Sequence, residues 1–180
     1  NKHTSVNGAK KRWDPLGLGW YDPELNMTAE RLELFAQIYG DINWTFTHKD
    51  VRFSGFYAAV AGSGLPQEHQ FWEFMESLPT LEKTRHHVAV MHYWLFMEHP
   101  DEPDWDLTDV EQYDNWYFSI SPPHRQRIWE LLQQAKVEIL FCGHVHTARP
   151  VQHLDGIRIY RTQAAGNTAQ LTDRWNEIDT

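Results

Sequence analysis

The chain has 180 residues, enough for one domain with a buried core, and its 41% apolar and 23% charged residues are ordinary for a globular protein. A net charge of -9, with no basic cluster beyond Lys10-Lys11-Arg12, argues against a nucleic-acid footprint. No apolar run approaches the roughly 20 residues of a membrane span, and a single cysteine, Cys142, excludes an intrachain disulfide framework.

Residues 1–27 are rich in Gly, Pro, Asn and Lys without a sustained period, and form an irregular lead-in to a domain expected over 28–180. Thr28 suits a helix N-cap; Leu32, Phe35, Ala36 and Tyr39 follow at helical spacing, and Gly40 stops the run. NWTFT and VRFSGFY, on either side of His48-Lys49-Asp50, have the pattern of a β-hairpin. Pro66 then opens a helix whose apolar face is Phe71, Phe74, Met75 and Leu78.

HHVAVMHYWLF predicts a buried strand ending near His92. Residues 98–118 form a long acidic loop with seven carboxylates between 101 and 114, expected to be a solvated insertion rather than a substrate entrance. Ser121-Pro122 opens a further helix, with Ile128, Leu131 and Leu132 inward and His124 and Arg125 on the surface. VEILFC has the continuous apolar character of a strand covered on both faces, and VQH and IRIYR form a hairpin about Asp155-Gly156. Strands alternating with helices predict a layered α/β fold.

Eleven histidines are the unusual count, since imidazole is both a common transition-metal ligand and the readiest acid or base at neutral pH. Two predicted strands deliver histidine at their C-terminal ends: His92 after VAVM, and His144 and His146 after VEILFC. Ligands gather at such ends in α/β proteins, because the sheet positions them and the loops vary freely. Gly143 suits a sharp turn at the strand exit. Isolated histidines are more often structural, the expectation for His86, His87, His99 and His153. Cys142 is expected to be a buried small hydrophobe, and Thr162, Gln163 and Asn167 ordinary loop hydrogen-bonders. Trp94, Trp105 and Trp116 suit packing or loop pinning better than an aromatic substrate rim.

GHVH after an apolar strand, preceded by VAVMHYWLF, resembles the C-terminal half of the calcineurin-like metallophosphoesterase family. INWTFTHKDVRFSGF is similar to its paired strands, QEHQFWEFMESLP to its Gln-rich helix, and NWYFSISPPHRQRIWELLQQAKVEILFCGHVH to its serine/threonine-protein-phosphatase-like branch. Trp94 stands where proline is usual. The resemblance covers roughly residues 42–165 and implies an α/β/β/α sandwich of which this chain supplies the C-terminal half.

It also implies a phosphoester substrate and two metal ions (Mn, Fe or Zn) that hold a bridging hydroxide for in-line attack on phosphorus. His92 and His144 would bind one ion and His146 the other. The family's Asp-x-His, Gly-Asp-x-x-Asp and Gly-Asn-His-Asp/Glu segments are absent, and Lys2 breaks the superficial match of Asn1-Lys2-His3 to the last. The chain, which starts at Asn1 rather than Met, is therefore expected to be a fragment with an incomplete site, inactive by itself. The catalytic histidine is expected upstream, so no catalytic residue is assigned within the chain. Two rival readings are a non-enzymatic Trp-rich binding module and a mononuclear zinc hydrolase built on the same three histidines. The compartment stays open, with a lean to the cytoplasm.

Overall fold

The computed structural model describes residues 27–106, 109, 112, 115, 118–145 and 149–162. Helix α1 (Ala29–Tyr39) begins as predicted, with the Thr28 hydroxyl accepting from the Arg31 N–H at 3.2 Å, and ends at Gly40. Strands β1 (Trp44–His48) and β2 (Val51–Phe56) pair antiparallel through the two-residue turn Lys49-Asp50, both at positive φ. Helix α2 (Pro66–Ser77) leads to β3 (His86–Met91), and α3 (His124–Gln134) to β4 (Ile139–Cys142). The hairpin β5 (Gln152–Leu154) and β6 (Ile157–Arg161) closes the described residues.

These strands make one six-stranded sheet in the order β1-β2-β3-β4-β6-β5, with β2, β3, β4 and β6 parallel and antiparallel strands at both edges. The fold is α/β, as expected, and is compatible with one half of a metallophosphoesterase-type sandwich. The order β2-β3-β4 advances in one direction. Right-handed crossovers therefore place α2 and α3 on the same face of the sheet. There Phe71, Met75, Ile128 and Leu132 pack in one core with Phe56, Ala89, Met91 and Leu140. None of the helices is long and apolar enough to cross a membrane, among the described residues.

The other face is also apolar, and open. Phe53, Val88, Val90, Ile139, Phe141 and Tyr160 alternate with the core residues and are all partly or largely exposed. At the β1 edge, Phe46 stacks on Phe53 and on Trp44. Gly55 makes that arrangement feasible: a Cβ there would stand 2.2 Å from the Trp44 indole. Parallel strands apolar on both faces are the pattern of a sheet covered on both sides. Helix α1 departs from expectation in the same way, since only Leu32 is buried while Phe35 and Tyr39 lie exposed.

A polar chain runs from the exposed edge strand β1 into the core. Thr45 Oγ1 lies 3.0 Å from Ser54 Oγ, Ser54 Oγ lies 2.9 Å from His87 Nε2, and His87 Nδ1 lies 3.0 Å from the Ala135 carbonyl. A carbonyl only accepts, so Nδ1 carries the proton of the neutral ring. Nε2 then accepts from Ser54, and Ser54 from Thr45. Burial is the main cause that holds the His87 pKa below its usual value. The unfolded chain therefore binds the proton more readily. The contribution of the neutral ring is complete above the ordinary histidine pKa of about 6.5 and is lost as pH falls below it. Urea unfolding between pH 7.5 and 5.5 is expected to show falling stability, with a flatter profile for His87→Phe; equal slopes would refute this origin.

Candidate metal site

The sheet brings two of the three predicted ligands together. β3 and β4 are adjacent, with Met91 opposite Cys142, so His92 and Gly143 leave the sheet side by side. The Gly143 N–H donates to the His92 carbonyl at 2.9 Å, tying the two exits. One residue later, His144 Nδ1 stands 3.1 Å from His92 Nε2. The His144 ring also lies against Tyr93, with centroids 4.1 Å apart. His146, the third candidate, lies outside the described residues.

The sharp turn is made by His144 rather than Gly143. His144 has φ +73°, and the Val145 N–H donates to the Gly143 carbonyl at 2.9 Å. An i to i+2 hydrogen bond about a residue at that φ is a γ-turn of the rare, strained kind. Such a turn throws the ring of its central residue sideways, toward His92. A glycine at this position would relax the backbone and lose the ring. Accordingly His144→Gly is expected to be more stable than His144→Ala by about 1–2 kcal/mol in thermal unfolding. Equal stabilities would show that the turn is unstrained.

Two nitrogens each about 2.0–2.1 Å from one ion, at an angle of about 90–110°, stand about 2.8–3.4 Å apart. The 3.1 Å separation of His92 Nε2 and His144 Nδ1 falls in that range, so the pair fits one cation. Two nitrogens do not make a complete site. Among the described residues no group of three or more His, Cys, Asp or Glu side chains converges on a metal position. Beside His92 opens a cavity of about 760 Å³ between α1 and the open sheet face, lined by Leu32, Phe35, Trp44, Val90, Phe141 and Thr162.

Other candidates take structural places. Cys142 is buried and its thiol is pushed up to about 12, chiefly by burial, so it offers no thiolate at neutral pH. Thr162 donates to the Cys142 carbonyl from both N–H and hydroxyl. Gln163, Asn167 and Trp116 fall outside the described residues. Trp94 is buried in the core and Trp105 donates its indole N–H to Ser119, so neither forms an exposed rim.

Arg125, expected at the surface, is wholly buried. It sits at the helical spacing of Ile128 and Leu132 on the inward face of α3. Its guanidinium donates to the carbonyls of Pro100, Pro103 and Ile120 and pairs with Glu102 at 3.4 Å. Glu102 in turn accepts from the N–H groups of Met97, Glu98 and His99. The first part of the acidic loop is thus anchored from within, not merely solvated.

No family model matches the chain. It is 28% identical to the human serine/threonine-protein phosphatase CPPED1 over 125 residues, which are 66% of this chain and 37% of that protein. The chain therefore spans little more than a third of its relative's length. Among solved structures, GAP50, the anchor in the inner membrane complex of Plasmodium, is similar over 69% of this chain and 36% of that one, at 13% identity and a TM-score of 0.42. That structural likeness is too slight to carry an argument.

Proposed function

We propose that the chain is part of a metal-dependent phosphoester hydrolase acting on mono- or diesters, with His92 and His144 holding one of two ions and His146 the other. The observation that carries this reading is the pair of imidazole nitrogens 3.1 Å apart at the tips of adjacent parallel strands. Similarity to a phosphatase supplies the reaction class. Bound at these residues, divalent ions would neutralise charge on the phosphoryl group and acidify water near neutral pH.

The chain's own part is positional. The γ-turn aims the His144 ring, the Gly143 N–H holds the His92 exit beside it, and the sheet beneath keeps both from moving apart. A second sheet, carrying the other ligands, would cover the open apolar face and fill the cavity beside His92. The 180 residues alone would then lack turnover.

The test is elemental analysis and hydrolysis of p-nitrophenyl phosphate by the full-length gene product. Two ions per chain and Mn-dependent turnover are expected, with no turnover from residues 1–180. One ion would favour the mononuclear reading and none a binding module, while robust turnover by the 180 residues would refute the shared site.

A further inference from the structure

The segment after His92 is gripped from the far side of the site. Arg161, at the end of β6, is 6% exposed and donates through Nη2 to the carbonyls of Phe96 and Met97, at 3.3 and 3.2 Å. Its Nη1 donates to Gln152 Oε1 at 2.8 Å, and Gln152 Nε2 donates in turn to the Glu98 carbonyl at 2.7 Å. Arg149 pairs with the Glu98 carboxylate at 2.6 Å. Arg149 and Arg161 both place a guanidinium over the Trp94 ring, at 5.0 and 4.9 Å from its centroid. Three residues beyond the His144 strand thus hold residues 94–98, which lie just beyond the His92 strand.

Stability alone is a poor account of Arg161. Its acceptors are neutral carbonyls and an amide, and among the described residues no carboxylate lies within ion-pair distance of it. A buried cation that meets only neutral acceptors, and whose Nε is buried without a hydrogen-bond partner among the described residues, gains no charge pairing to offset its desolvation. The planar guanidinium does supply direction: it holds two successive carbonyls of one loop and the side chain of a neighbouring strand at fixed angles. Arg161 lies opposite Cys142 in the β4–β6 register, two residues before His144, while the carbonyls it holds begin four residues after His92.

The geometry points to Arg161 as a positioning residue that, with Arg149 and Gln152, sets the spacing of His92 from His144. This rests on the reading of those histidines as metal ligands, but its first readout needs no metal. His144 Nδ1 and His92 Nε2 stand at hydrogen-bond distance, 3.1 Å, so chain labelled with ¹⁵N-histidine is expected to show a scalar coupling between the two ring nitrogens. Arg161→Met is expected to abolish that coupling while cooperative unfolding is kept. Arg158→Met, on the opposite face of the same strand, should leave it unchanged.

Titration of the full-length gene product with Co²⁺ is expected to show 10- to 100-fold weaker binding by Arg161→Met, the size of effect typical for residues that orient ligands (about 10–100-fold), with partial recovery in Arg161→Lys. Should Arg161→Met fail to fold, Gln152→Ala, which removes one acceptor of Arg161 and the donor to Glu98, is expected to weaken the coupling. Coupling unchanged in the variant that folds overturns the clasp. Absence of Co²⁺ binding in the wild-type full-length gene product would overturn the ligand reading instead, and the coupling would still decide the clasp.

Discussion

Replacing Arg125 with leucine is expected to destabilise the fold by about 3–5 kcal/mol, the cost of leaving a buried partner unpaired. Four acceptors lose their donor at once: the carbonyls of Pro100, Pro103 and Ile120, and the Glu102 carboxylate. Glu102 is itself nearly buried, its side chain 9% exposed, so the lost cation has no ready substitute in water. A domain of this size has about 5–15 kcal/mol of stability to lose, so the change would be visible directly in urea unfolding. Arg125→Lys is expected to recover only part, since an ammonium cannot serve the same fork of acceptors. Pairing Arg125→Leu with Glu102→Leu should cost less than the two single changes added, because the second removes the stranded charge. A loss under about 1 kcal/mol for Arg125→Leu would mean that the loop finds other partners.

His92→Ala is expected to lower phosphoester turnover by the full-length gene product on the order of 10³-fold, with little change in thermal stability. The first expectation follows if removing a ligand forfeits several kcal/mol of metal assistance, each ~1.4 kcal/mol being a factor of ten. The second follows from the exposure of His92, whose ring is not part of the core. Metal content measured on the same sample should fall in step with turnover. Cys142→Ala is the matched control, adjacent in the sheet but buried and protonated, and turnover is expected to survive it. A loss below tenfold in His92→Ala, or an equal loss in Cys142→Ala, would remove His92 from the metal site.

Arg125 and His92 differ in how legible they are. His92 and His144 stand out as candidates because an apolar run with no polar interruption announces a covered strand, and the sheet fixes the position of the residues at the end of such a strand. Arg125 does not stand out. A guanidinium at an inward helical position looks like a surface residue until the carbonyls that receive it are known, and two of those come from a loop 22 to 25 residues upstream. Trp94 is expected to pack rather than to form a rim, and it lies buried in the core beneath two arginines distant along the chain. The turn expected at residue 143 falls one residue later for a more local reason. Glycine is the residue of least strain at positive φ, whereas here the strain falls on the histidine next to it.

By itself the sequence determined the described strands, the helices α1, α2 and α3, and their order, though not the short 3-10 turns Ala58–Val60 and Leu78–Thr80 or the helical residues Gln112, Asn115 and Phe118 in the expected loop. Hydrophobic period, a Thr cap, a proline at a helix start and turn residues between short runs are all local causes with local effects. The sequence also determined which residue types stand at the strand tips. Only the tertiary structure decided that two of those tips are neighbours, that their ring nitrogens stand 3.1 Å apart, and that one apolar face of the sheet lies open. Strand order and side-chain contact are long-range properties, set by crossover handedness and by the pairing of groups far apart in the chain, and no local pattern encodes them.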